Sequence, residues 1–144
     1  MMGLFAPILR KLLPSFYNDA LLRPLRRHYQ GLRAQSDKIA IYVIFPQFGV
    51  LESHLHALRY MVDNSYSPVI VSNLPLSETD LAKVKPLAWR IVERENFGYD
   101  FGGFRDAVLD LAPELPDLNR LVFFERFQLV SNARQPKLAE MCPR

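Results

Sequence analysis

Cysteine is almost absent from this 144-residue chain. Cys142 stands alone, so no internal disulfide can form, which agrees with a reducing compartment. Histidine is scarce too. His54 and His56 lie two positions apart and do not share a helix face, so they make no metal pair; a solvent-facing or groove-facing role is expected for them. No apolar run reaches the ~18 residues of a membrane span. The longest, Ile39–Phe45, is interrupted by Pro46 and Gln47. Arg10 and Lys11 break the N-terminal apolar region and no small-residue cleavage site follows, so a signal peptide is not expected. Neither a G-x-G-x-x-G fingerprint nor a Gly-Lys-Ser/Thr phosphate loop occurs. What is present is globular: 49% hydrophobic and 23% charged residues, in a chain long enough for one domain with a real core. Eleven prolines punctuate it.

Positive charge is concentrated at one end. Residues 1–36 carry Arg10, Lys11, Arg23, Arg26, Arg27 and Arg33 against Asp19, a net of +5, whereas the remaining 108 residues are net −2. The aromatic-plus-basic surface of a nucleic-acid binder is not evident, and a nucleic-acid partner is not expected. Leu4, Phe5, Ile8, Leu9, Leu12 and Leu13 form one helical stripe, and Leu21, Leu25, Tyr29 and Leu32 a second. Residues 1–36 thus predict a basic amphipathic helical arm. Two readings stay open for it: a helix lying on an anionic membrane surface, or an arm packed on another domain or subunit.

From residue 37 the pattern alternates. Ile39–Phe45 is a continuous β-branched and aromatic run, as in a strand buried on both faces of a parallel sheet. Leu51, Leu55, Leu58 and Met61 repeat at helical spacing. Pro68–Ser72 predicts a second strand ending at Asn73. Ser77 is a good N-cap for a helix that stops before Pro86. Ala88–Val92 predicts a third strand with Trp89 packed in it, Phe104–Leu111 a helix, and Leu121–Phe124 a fourth strand. The expected fold is α/β: a mainly parallel sheet of about four strands with flanking helices, of Rossmann-like type. Its ligands should gather at the carboxyl ends of the strands.

The chain is organised around Arg94-Glu-Asn-Phe-Gly-Tyr-Asp-Phe-Gly-Gly-Phe-Arg-Asp106, between the third strand and the following helix. Three of the six glycines fall here, at Gly98, Gly102 and Gly103, with Asn96, Asp100, Arg105 and Asp106 around them. A strand, a glycine-bearing loop and a helix start suit a phosphate or sugar. The same residues also suit a plain tight turn with Asp100 as helix cap.

These residues carry a resemblance. Lys38–Phe124, 87 of the 144 residues, resembles the rhamnan synthesis protein F family of bacterial polysaccharide and lipopolysaccharide gene sets. The match rests on the Ile39–Phe45 strand, the strand end Val69-Ile-Val-Ser-Asn73, and above all Glu95–Asp106 leading to Arg120-Leu-Val-Phe-Phe124. The core Asn-x-Gly-Tyr-Asp-Phe-Gly-Gly gives it its specificity. That family is similar to nucleotide-sugar glycosyltransferases of the GT-A type. The resemblance implies a hexosyltransferase, often of rhamnose, working from a nucleoside diphosphate sugar onto a glycan or lipid-linked acceptor. By position, Asn96, Gly98, Asp100, Gly102 and Gly103 would form the donor-side loop, Arg105 or Asp106 would touch phosphate or sugar, and Asn73 would sit near the nucleoside. The expected location is cytoplasmic; peripheral contact at the inner face of the cytoplasmic membrane is the membrane reading of the basic arm, residues 1–36, which lies outside the resemblance.

The chain departs from the family after the fourth strand. Asn-Asp-Ser is the family's usual continuation, where related transferases place a metal-binding acid; here the sequence runs Glu125-Arg-Phe-Gln-Leu-Val. Glu125 alone would have to hold the implied Mg2+ or Mn2+, and one carboxylate is a poor substitute for several oxygen ligands. Residues 126–144 follow neither a helical nor a strand period. The expectation is a truncated transferase, frameshifted near residue 125, that binds donor without an identifiable catalytic base. The alternative is a non-catalytic remnant or membrane-associated interaction module. A dimer or a partner chain could then cover its exposed sheet edge.

Overall fold

The structure is a computed structural model that describes residues 17–124. The first predicted helical stripe, Leu4–Leu13, as well as Glu125 and residues 126–144, lie outside the described residues.

The described chain is α/β, with a five-stranded, mainly parallel sheet and helices on both faces. After turns at Tyr17–Leu22 and Arg23–Leu25 come β1 (Arg27–Gln30), β2 (Lys38–Ile44), α1 (Glu52–Asp63), β3 (Ser67–Ser72), α2 (Glu78–Val84), β4 (Arg90–Glu93), α3 (Tyr99–Asp110) and β5 (Arg120–Phe124). The sheet order is β1-β4-β3-β2-β5. β2 pairs in parallel with both β3 and β5, and β3 in parallel with β4; β1 runs antiparallel along β4.

Alternation along the central strands divides the core. Ala40, Tyr42, Ile44, Ile70 and Ile91 face α1 and α2 and pack on Leu55, Leu58, Met61, Leu81 and Val84. Ile39, Ile41, Val43, Val69, Val71 and Trp89 face the other way, onto Ala107 and Leu111 of α3. Burial on both faces is why β2 and β3 read as unbroken apolar runs.

The expected second helix of the arm is met only as far as Leu25, in two short helical turns; beyond it the chain is extended in β1. Leu21, Leu25 and Leu32, which would have formed the helix's apolar stripe, are exposed, while Tyr29 packs against the α1–α2 face. Strand pairing wins here because the outer edge of β4 offers unpaired backbone groups. Gly31 N–H then donates to Trp89 O at 2.8 Å and Arg33 N–H to Ala88 O at 3.0 Å, which fixes the chain beyond β1. A Cβ on Gly31 would lie 1.9 Å from Ala88 O, so the close approach needs glycine. Part of residues 1–36 thus belongs to the sheet.

From β2 the chain adds β3 and β4 to one side, then crosses back to place β5 on the other. The direction of winding reverses between β2 and β5, which marks the crevice at the carboxyl ends of these strands as the place where this architecture receives ligands. The loop after β2 is held there by Asp80. Its carboxylate accepts from Val50 N–H at 3.0 Å, from Ser77 Oγ at 2.9 Å and from Lys83 Nζ at 3.3 Å. Ser77 Oγ in turn accepts from Asp80 N–H, capping α2 as expected from the sequence.

Burial raises the Asp80 pKa, but the hydrogen bonds from Val50, Ser77 and Lys83 outweigh it and hold the carboxyl below its ordinary value. A depressed folded-state pKa contributes stability in full above the unfolded value and loses it as pH falls through the folded one. Asp80→Ala is therefore expected to cost about 1–3 kcal/mol at pH 7. The gap to the parent chain should narrow below about pH 4, in chemical denaturation run across pH.

Candidate functional site

A crevice of about 390 Å3 opens at the carboxyl ends of the central strands. Val43, Ile44 and Phe45 at the end of β2 form one wall, with Asn73 after β3 and Asn96 after β4. His54 of α1 and Tyr99 and Asp100 of α3 close its sides. A neighbouring depression of about 240 Å3 shares Asn73 and Asn96, and adds Arg27, Glu93, Arg94 and Glu95. A larger hollow, about 530 Å3, lies away from the strand ends between β1, β4 and α3. Its charges are already committed, Arg23 to Asp110 at 3.3 Å and Arg90 to Glu114 at 2.6 Å, so the crevice is the better candidate site.

Beneath the crevice lies a buried arginine. Arg94 Nε donates to Asp106 Oδ2 at 2.7 Å, Nη1 to Asn73 Oδ1 at 2.6 Å, and Nη2 to the Phe97 carbonyl. The Arg94 and Asp106 side chains are each 1% exposed. Burial lowers the Arg94 pKa, and the Asp106 charge opposes that shift. A second buried guanidinium, Arg26, approaches Asp106 at 2.9 Å and Asp110 at 3.9 Å, as ion pairs without hydrogen-bond alignment. Arg105 pairs with Asp19 at 2.9 Å and Asp106 at 3.3 Å. Arg26 thus spends its charge inside the fold, whereas Arg23 pairs with Asp110 at the surface.

α3 opens differently from the sequence expectation. The helix begins at Tyr99, five residues before Phe104, so Gly102 and Gly103 lie within it and not in a loop. Gly98 alone of the three has a positive φ, +75°, and stands at the N-cap. Gly102 and Gly103 serve close approach: an added Cβ would sit 2.2 Å from Phe97 O at the first, and 3.0 Å from both γ-carbons of Val43 at the second. Asp100 is in the first turn and not at the cap. Tyr99 also takes a positive φ, +51°, a strained conformation for a bulky residue.

Of the site residues expected from the sequence, the fold brings Asn73, Asn96 and Asp100 to the crevice, with Gly98 beside them. Arg105 points to Asp19, and Asp106 is turned into the interior, so neither lines the crevice. Their period explains it: Asp106 shares the inward face of α3 with Gly103 and Ala107. Glu125, the expected metal ligand, lies outside the described residues. His54 was expected to face solvent or a groove and lines the crevice. Its Nδ1 accepts from Leu51 N–H at 3.0 Å, which assigns the proton of the neutral ring to Nε2. No role was foreseen for Arg94, although a charged residue directly after a buried strand was the signal available.

Comparison with known proteins is sparse. The chain is 38% identical over 82 residues to the uncharacterized protein y4gN of Sinorhizobium fredii (strain NBRC 101917 / NGR234). That match takes in 57% of this chain and 21% of the relative, so the chain spans about a fifth of that protein's length. No family model and no solved structure matches the chain.

Removing Arg94 leaves Asp106 short of its closest partner. Arg94→Met should cost about 3–5 kcal/mol in urea unfolding. Adding Asp106→Leu should recover less than for an isolated pair, because Arg26 then loses its carboxylate. Gly103→Ala should cost about 1–3 kcal/mol by pressing on Val43, and Gly102→Ala more, since its methyl meets a backbone carbonyl.

Proposed function

We propose that this chain is the donor-binding part of a glycosyltransferase-like protein of bacterial cell-surface polysaccharide or lipopolysaccharide synthesis, facing the cytoplasm. The observation that supports this reading is the crevice beside the winding reversal, which gathers Asn73, Asn96 and Asp100 from three separate segments. These are residues that the resemblance to the rhamnan synthesis protein F family assigns to the donor side.

The chemistry would be displacement of a nucleoside diphosphate by an acceptor hydroxyl. Amides accept from and donate to a nucleoside or sugar edge, and a carboxylate accepts from vicinal hydroxyls. The first N–H groups of α3 lack intrahelical partners and favour an anion. Asn73 is held by Arg94, so its amide is oriented before any ligand arrives. A general base for the acceptor hydroxyl is not assigned among the described residues, so the step that the site serves is donor recognition.

The resemblance also brings a divalent cation, Mg2+ or Mn2+. Among the described residues no three His, Cys, Asp or Glu side chains gather to hold one, and no step is routed through a metal. Among those residues, too, no helix is long and apolar enough to cross a membrane.

Calorimetry with UDP, GDP and dTDP, and with their sugar conjugates, tests the reading. At least one should bind, and Asn96→Ala and Asp100→Ala should each weaken it about tenfold. Affinity for none of them would sink the proposal.

A further inference from the structure

The carboxyl end of the sheet carries more aromatic surface than a folded chain ordinarily leaves in water. Phe48 is 84% exposed, Phe101 80% and Tyr99 78%. Phe45 and Leu51 are exposed beside them. These side chains come from only two segments, the loop after β2 and the first turn of α3, both at the carboxyl end of the sheet. Phe45 and Tyr99 line the crevice itself. Clustered exposed apolar groups at one end of a domain mark a contact surface.

The polar groups among them narrow what the contact is. Asn73, Asn96 and Asp100 line the crevice, and no Lys or Arg is among the described residues that do. Glu52 and Glu95 are exposed on the flanking segments. An anionic lipid surface draws on several Lys or Arg side chains at the contact, and the described residues that line the crevice supply none. A neutral pyranose fits better. Its axial C–H groups present an apolar face with slight positive charge, which lies against the negative face of an aromatic ring. Its hydroxyl edge donates to a carboxylate and exchanges hydrogen bonds with amides. The backbone of Tyr99 adds to this, since a ring held in a strained conformation and pointed into water gains nothing from the fold.

We infer that Phe45 and Tyr99, with Asp100 and Asn96, form a carbohydrate-stacking site for a neutral pyranoside in the crevice, which the exposed rings of Phe48 and Phe101 on the same two segments extend at the carboxyl end of the sheet. Sugar binding stands on the surface alone; its assignment to the acceptor glycan rests on the transferase reading.

The test is amide-shift mapping by NMR on the whole chain, titrated with methyl glycosides of rhamnose, mannose, glucose and galactose, and separately with UDP, GDP and dTDP. At least one glycoside should shift amides of residues 45–51 and 96–101 together. Phe48→Ser and Phe101→Ser, both at exposed positions, should each weaken it about three- to tenfold, the size of one aromatic contact, with the rest of the spectrum unchanged. The methyl glucuronide should bind more weakly than the glucoside because of Asp100. The inference is overturned if no glycoside shifts these amides, or if phosphatidylglycerol vesicles shift them instead. Shifts there that follow protein concentration alone would overturn it too, in favour of a second copy of the chain. Nucleotide shifts without glycoside shifts would sink this surface and leave the transferase reading standing; the reverse would sink the transferase reading and leave the surface.

Discussion

One buried charge ties this fold together. Arg94 leaves the end of β4 with its guanidinium out of water, and that is tolerable only because Asp106, Asn73 and the Phe97 carbonyl all meet it. Those partners come from α3, from the end of β3 and from the loop between β4 and α3. A single side chain therefore joins α3, the loop before it and Asn73, while Ala107 and Leu111 seat the helix on the sheet. Gly103 lets the helix settle onto Val43 at that depth, and Gly102 lets the Phe97 carbonyl reach inward. The N-terminal segment joins the same centre through Arg26, and at the surface through Arg23 and Asp19.

This arrangement separates two kinds of residue that a linear motif presents together. Within Asn96–Asp106, Asn96, Tyr99 and Asp100 face the crevice, while Gly103 and Asp106 face the core. Asn96 and Asp100 are available to a ligand; Asp106 and the glycines keep the helix where it is. The motif is both a surface and its support, and the support is the more deeply buried part.

Much of this was legible in the sequence, and the misses have physical causes. β2 and β3 were plain because burial on both faces writes an unbroken apolar run, and Ser77 was plain because capping is local. β1 was missed because Leu21, Leu25, Tyr29 and Leu32 keep a helical period although the chain is extended over Arg27–Gln30; an unpaired sheet edge, which no local pattern reveals, decided its conformation. The start of α3 was missed because Gly102 and Gly103 read as a turn, whereas their service is close packing against Phe97 and Val43. The resemblance puts Arg105 or Asp106 against phosphate or sugar by position, and only the helical phase of α3 shows that Asp106 turns inward and Arg105 to Asp19. The basic arm read as a surface feature, yet Arg26 is interior because Asp106 needs more than one partner.

Tyr99 carries a consequence for how such a protein would drift under selection. A left-handed backbone position is most comfortable for glycine or asparagine. A lineage selected only to stay folded would lose the tyrosine there, because the ring is mostly in water and its backbone is strained. Retention of an aromatic at this one position across diverging copies, with the neighbouring Gly98 unchanged, would be a record of use. Its replacement by glycine would be a record of disuse.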